Sequence, residues 1–373
     1  MNHIAPMGIE MSKQKNIVTI ICCVFSFMLF LTFCLPAPLA ARVQTDTPRP
    51  RIAVLTYHRF DEERYPATNV SAVQFRAQLN YLKNNGYEVL PLGELVTAIK
   101  KRMPLPDKAA VITIDDGFRS VYDVAWPILR EFGYPFSVFL YVRGIDSDSP
   151  TYLNWDQVLE MQKEGVDFQD HTYSHNHMAD RPRELGGAAY RSWISADLRK
   201  GARVLAEKLG ERPKYLALPY GEYNAIVQEE AGKLGYEAIL SQNPGPISLD
   251  TDLTAIPREA ITGSVWSTIE HLDEVLDRVD LPIRAMQPST LSLKNATVKR
   301  FGATLPQPGR YEPGTLGIYV TDLGWRRARI DGDFVYIDND KPLKRRVSRV
   351  TVSGREKGTG DIAMRSWMII RPD

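Results

Sequence analysis

Between residues 51 and 276, short apolar runs alternate with amphipathic stretches, and this alternation limits the possible folds more than any other feature of the chain. The apolar runs at 52–57, 87–90, 109–114, 136–142, 166–169, 215–218, 237–240 and 254–256 read as strands. The stretches between them read as helices. Ser71 caps the first, whose apolar face carries Phe75, Leu79 and Leu82 and which ends at Gly86. Others fall at 92–99, 121–132, 155–163, 188–209, 223–234 and 265–276. Strands that alternate with helices pair in parallel. Seven or eight such units predict an α/β domain over 51–283, a distorted (β/α) barrel.

From residue 284 the helical period disappears. Runs at 291–301, 316–320, 327–330, 334–337, 347–352 and 362–370 alternate like strands, and Asp331-Gly332 is a hairpin signal. A small all-β, sandwich-like domain is predicted over 284–373. Charge divides the chain at the same place. Residues 284–373 hold 17 Lys/Arg against 9 Asp/Glu, a surplus of eight that leaves −7 on the remainder within a net charge of +1. A basic unit of this kind suits an anionic glycan or a lipid surface, although a solvated basic face explains the surplus equally well. Nucleic acid is not an expected partner.

The N-terminus has a different chemistry. Lys13 and Lys15 precede an apolar stretch at 17–35, and Pro36, Pro38 and small alanines follow. Residues 1–41 read as a signal peptide or membrane anchor, and 42–50 as a linker. The expected location is therefore outside the cytoplasm: periplasm, cell envelope or extracellular, with membrane contact only through 17–35 if that segment is retained. All three cysteines (Cys22, Cys23, Cys34) lie in this segment. The body of the chain can form no disulfide or thiolate metal site, so His, Asp and Glu must hold any metal.

The chemistry collects where strands end. Asp115-Asp116-Gly117 follows the apolar run 109–114 directly, and His171-Thr172-Tyr173-Ser174-His175 follows 166–169. Either group alone has an ordinary reading. Adjacent acids can cap a helix, and two histidines four apart can sit in a polar surface loop. Together they have the composition of a catalytic zinc site, three His or carboxylate ligands with one position left for water. His171, His175 and one of the two aspartates supply that set, and a cation relieves the repulsion between the acids. In a barrel such groups meet at the C-terminal rim. His58, Pro219-Tyr220-Gly221 and Arg258 also fall just after strands.

Thr113-Ile114-Asp115-Asp116-Gly117 resembles the first motif of the polysaccharide deacetylases with the NodB-homology domain, carbohydrate esterase family four. His171 to His175 resembles their His-Thr-x-x-His motif, and Leu218-Pro219-Tyr220-Gly221 their third motif. The resemblance covers about 51–280. It implies Asp115 as catalytic base, Asp116, His171 and His175 as ligands of a divalent metal, most simply Zn2+, and the Tyr220 amide as an oxyanion donor. Two departures stand out. Ala217 occupies the place of the arginine that tethers the base, and Arg258 at a later strand end is the candidate replacement. The Asp-Asp strand is also the third rather than the first, which resembles circularly permuted, exported relatives acting on poly-N-acetylglucosamine. His58, after the first strand, then inherits the role of general acid.

The resemblance implies a metal-dependent N-deacetylase of N-acetylglucosamine-containing polysaccharide. Tyr57, Tyr141, Trp155, Tyr173 and Tyr220 are candidates to stack on sugar rings. Two rivals differ in class. One is a catalytically silent glycan-binding or envelope scaffold protein, motivated by the missing third-motif arginine. The other is a small-amide hydrolase on the same barrel.

Overall fold

The computed structural model describes residues 49–180, 185–289 and 291–371. The expected signal or anchor at 1–41, and the linker up to residue 48, lie outside the described residues. Among those described, no helix is long and apolar enough to cross a membrane.

Eight parallel strands build the first sheet: β1 (Arg51–Tyr57), β2 (Glu88–Val89), β3 (Lys108–Asp116), β4 (Ser137–Leu140), β5 (Asp167–Asp170), β6 (Tyr215–Ala217), β7 (Ala238–Leu240) and β8 (Glu259–Ala260). Their order is β8-β1-β3-β4-β5-β6-β7, with β2 on the edge of β3 opposite β1. Ile256 bridges to Leu240 in β7, and β8 pairs with β1, so the segment 256–260 spans the gap between the last strand and the first. This is the expected distorted (β/α) barrel.

β1 and β3 are buried almost throughout because both of their faces are covered. One parity faces the interior: Ile52 and Val54 of β1 and Ala109 and Val111 of β3 meet Phe139, Ala217 and Leu240. The helix Leu92–Lys101 adds Leu92, Leu95, Val96 and Ile99 to this cluster. The other parity, Ala53, Leu55, Tyr57, Ala110, Ile112 and Ile114, packs outward on the surrounding helices. Period-two alternation carries the interior series on to Thr56 and His58, and to Thr113 and Asp115. Truncating a buried leucine in either cluster costs about 2–5 kcal/mol.

Several element boundaries differ from expectation for local reasons. The helix expected at 121–132 begins as a wide π-turn, Val121–Ala125, before the α-helix Trp126–Phe132. Pro127 has no N–H for the usual ladder, and the wide turn absorbs the mismatch. The helix expected at 265–276 is split, because the Thr268 side chain accepts the His271 N–H and starts a new helix, Ile269–Leu276. The strand expected at 254–256 is reduced to the single bridge at Ile256. Strand 291–301 begins only at Arg300, since Leu293 and Ala296 instead bond Ile370 and Leu343.

Two further sheets follow the barrel. The five-stranded one runs Val279–Asp280, Ile362–Ile370, Val347–Arg355, Gly317–Val320, Gly324–Arg327. The four-stranded one runs Ala285–Gln287, Arg300–Thr304, Phe334–Asp338, Arg329–Asp331. Gly332-Asp333 turns the hairpin between Arg329–Asp331 and Phe334–Asp338, with Gly332 at φ +60. Between the sheets lies a core that includes Phe301, Ile318, Val335, Val350, Trp367 and Ile369. These sheets dock on the barrel. Met368 and Ile370 join Leu216, Leu218, Tyr223 and Val227 in one apolar cluster, Arg51 pairs with Asp361 at 2.6 Å, and Arg346 pairs with Asp180.

Candidate active site

Interior parity and strand ends bring the expected residues to one mouth of the barrel. Asp115, on the interior series of β3, is fully buried, as is Arg258, which immediately precedes β8. The guanidinium grips the carboxylate at two points, Nη1 to Oδ1 at 2.7 Å and Nη2 to Oδ2 at 2.8 Å. Its Nε donates to the Ser241 carbonyl at 2.8 Å, which fixes the plane of the fork. Burial alone would raise the Asp115 pKa, but Arg258, with His171 and His58, holds it below the usual carboxylate range. Asp115 is therefore an ionised, oriented carboxylate that would otherwise be an unpaired buried charge.

Asp116 takes a different direction. Its φ of +72 breaks the strand and turns its carboxylate away from the interior series. Oδ1 lies 3.0 Å from His175 Nε2 and 3.4 Å from His171 Nε2, yet it is buried without a hydrogen-bond partner. The donor atoms of Asp116, His171 and His175 all lie within 4.8 Å of one another. The other ring nitrogen of His171, Nδ1, is 2.8 Å from the Ala217 carbonyl, so it carries the proton and leaves the Nε2 lone pair free. Two imidazole nitrogens and one orphaned carboxylate oxygen fit a divalent cation with nitrogen and oxygen preference. Burial opposes charge on both Asp116 and His171. The two imidazoles nevertheless hold Asp116 well below its ordinary range, and Asp115 and Asp116 together raise His171.

His58 continues the interior series of β1 into the same mouth. Its Nδ1 is buried without a hydrogen-bond partner. Burial lowers its pKa, with Asp116 and Asp115 pulling the other way and Arg258 and His171 adding to the fall. Tyr220 stands beside the histidine loop. It holds φ +60 within Pro219–Gly221, and its ring meets His175 edge-on at 5.1 Å and stacks on His177 at 3.7 Å.

Backbone strain is concentrated here. Among the described residues, seven non-glycine residues have positive φ, and four of them are Asp116, Thr172, His175 and Tyr220. Each costs about 1–3 kcal/mol, so the surroundings must enforce it. Asp170 and Asp197, which sequence reasoning did not single out, do so for the histidine loop. Asp170 accepts the Thr172 N–H at 2.8 Å and the Tyr236 hydroxyl, and burial pushes its pKa up to about 7. Asp197 accepts the Tyr173 N–H at 3.2 Å. The only sequence signal for Asp170 was its place directly before His171. His177 and Glu222, 3.0 Å apart, were also missed.

The aromatic candidates divide. Tyr141 and Tyr220 flank His175. Tyr57 is core: it is fully buried, and its hydroxyl donates to Gln78. Trp155 donates to Asp146 at 3.0 Å with Lys208 over its ring, and Lys200 covers Tyr173.

Comparison with known proteins gives a consistent picture. Residues 102–239 match the family model described as polysaccharide deacetylase. That span encloses Asp115, Asp116, His171, His175 and Tyr220, starts after His58 and ends before Arg258. The poly-beta-1,6-N-acetyl-D-glucosamine N-deacetylase of Escherichia coli (strain K12) is 28% identical over 256 residues, covering 58% of this chain and 37% of its own length. The chain thus spans little more than a third of that relative. The protein of the same name from Staphylococcus epidermidis is 25% identical over 205 residues, 54% of this chain and 71% of its own. Among solved structures, the Streptococcus pyogenes deacetylase PplD in complex with acetate superposes with a TM-score of 0.53 at 26% identity, covering 62% of this chain and 99% of that one. IcaB from Ammonifex degensii gives 0.52 at 26% identity, covering 59% and 96%.

Proposed function

We propose that the protein is a metal-dependent N-deacetylase of an N-acetylglucosamine-containing polysaccharide, a reading that starts from the match of residues 102–239 to the polysaccharide deacetylase model. The observation that carries the proposal is the division of the acid pair. Asp115 is locked in the Arg258 fork, while Asp116 faces the two histidines with an oxygen that has no other partner. The relatives named as poly-beta-1,6-N-acetyl-D-glucosamine N-deacetylases support the choice of polymer. The guanidinium supplied by Arg258 favours an active site over a silent scaffold, whose motive was the alanine at position 217.

Asp116, His171 and His175 would hold the cation, with Zn2+ suited to that donor set. When bound, such an ion acidifies water and polarises an acetyl oxygen. Asp115, ionised and oriented by Arg258, takes the proton from the attacking water. The Tyr220 N–H donates to the oxyanion that develops on the acetyl oxygen as water adds to the acetyl carbon. His58 passes a proton to the departing amine, and the proton that Asp115 took from the water restores it. Acetate and a free amino sugar result. The apolar stretch at 17–35 supports export to the envelope or beyond.

The test is acetate release from poly-N-acetylglucosamine, chitin oligomers and peptidoglycan. Activity should vanish on chelation, return with zinc, and fall about 10²–10⁴-fold in Asp115→Asn. Full activity in that variant would remove Asp115 as base. Glycan binding without acetate release from any polymer by the zinc-loaded protein would favour the scaffold reading.

A further inference from the structure

The C-terminal sheet presents aromatic rings beside the candidate active site. In Val347–Arg355 the residues Ser348, Val350, Val352 and Gly354 are buried, so the half-buried Val347, Arg349, Thr351 and Ser353 form the face turned away from the sandwich core, with Val347 packed on the barrel. Thr351 lies opposite Tyr319, and Tyr319 opposite Trp325, which makes one row across three strands on that face. Tyr319 is 40% exposed and Trp325 54% exposed. The Trp325 ring has a built seat, because a Cβ at Gly317 would lie 2.3 Å from it. The indole lies against Gly317 and keeps about half of its surface exposed.

This row is continuous with the catalytic mouth. Arg349 stands on the same face, two residues along the strand from Thr351, and its Nη2 donates to the Tyr220 carbonyl at 3.2 Å. The Tyr319 hydroxyl lies within electrostatic reach of the same guanidinium. Tyr220 is itself 43% exposed. Exposed rings therefore run from Tyr220 beside His175 to Tyr319 and Trp325, across the seam between barrel and sheet. Flat, exposed rings match the apolar C–H face of a pyranose, and neighbouring polar groups serve its hydroxyl rim.

We propose that Tyr319 and Trp325 form a platform that holds the polysaccharide chain on the C-terminal sheet while one of its sugars occupies the site at Asp115. The proposal rests on the deacetylase reading for its ligand, and its test separates the two. Binding is measured by calorimetry on the full chain carrying Asp115→Asn, with N-acetylglucosamine oligomers from two units up to polymer. Tyr319→Ala with Trp325→Ala should weaken long chains about tenfold and leave the disaccharide unchanged. Trp325→Phe should recover most of the loss. In the active background the same pair should raise KM for polymer and leave kcat for short substrates alone. Unchanged polymer affinity, or equal weakening at all lengths, would overturn the platform. Acetate release with an unaltered polymer KM in the double variant removes the platform and leaves the deacetylase. Length-dependent binding without acetate release from the wild-type chain removes the deacetylase and leaves the platform. Both substitutions are on exposed side chains, and an unchanged melting temperature shows that the fold persists.

Discussion

Arg258, from the barrel, is fully buried and grips a carboxylate at two points, whereas Arg349, from the C-terminal sheet, holds a single backbone carbonyl. The first neutralises a charge that the interior could not otherwise keep. The second steadies a loop whose shape is mostly fixed by other contacts. The difference follows from where each residue stands. Strand parity aims Asp115 inward, and Arg258 enters the same interior from the strap that closes the barrel. Arg349 reaches the site only because the C-terminal sheet packs against the barrel.

The largest test of this contrast is Arg258→Met. It leaves Asp115 ionised, buried and unpaired, so stability should fall by about 3–5 kcal/mol in urea unfolding. Acetate release should fall by about 10²-fold or more, because the base loses its orientation. Adding Asp115→Asn should restore much of the stability and none of the activity. A single variant that unfolds like wild type would mean that the fork contributes nothing to the fold.

The candidate site was legible because it is local to strand ends. Two acids at one tip and two histidines at another are visible as letters, and period-two alternation places His58 and Asp115 on one face. Arg258 was harder, since the strand expected at 254–256 is only a bridge, but its place at a strand end still marked it. Asp170 and Asp197 were not legible in role, because what they do depends on backbone φ at Thr172 and on the approach of the helix Gly187–Leu209. That helix comes close at Gly201, where a Cβ would lie 3.0 Å from the Asp170 carboxylate. Arg349 was invisible for a similar reason. In the sequence it is one basic residue among seventeen in its region, and only docking gives it a partner.

Asp170→Ala tests the intermediate case, a barrel residue that acts through another. Thr172 and Tyr236 would lose their acceptor, at about 1–3 kcal/mol. The histidine loop should then hold zinc about 10–100-fold more weakly, with residual activity restored by excess metal. Unchanged zinc affinity, read by competition with a chelating dye, would confine Asp170 to a packing role and narrow the site to its direct ligands.

Arg349→Met should give the smallest effect. A hydrogen bond from a charged donor is worth about 1.5–3 kcal/mol, against about 1–3 kcal/mol for holding Tyr220 in a left-handed conformation. The bond is therefore comparable with that cost but is not the only support of the conformation. Gly221, at φ +68, is wedged so closely that a Cβ there would lie 2.2 Å from the Gln242 nitrogen. The loop should loosen without collapsing. The Tyr220 N–H would then meet the oxyanion less well, and kcat should drop about three- to tenfold with zinc affinity unchanged, because Arg349 touches no ligand. A loss as large as that of Arg258→Met would erase the distinction between the two arginines and make the C-terminal sheet part of the catalytic core.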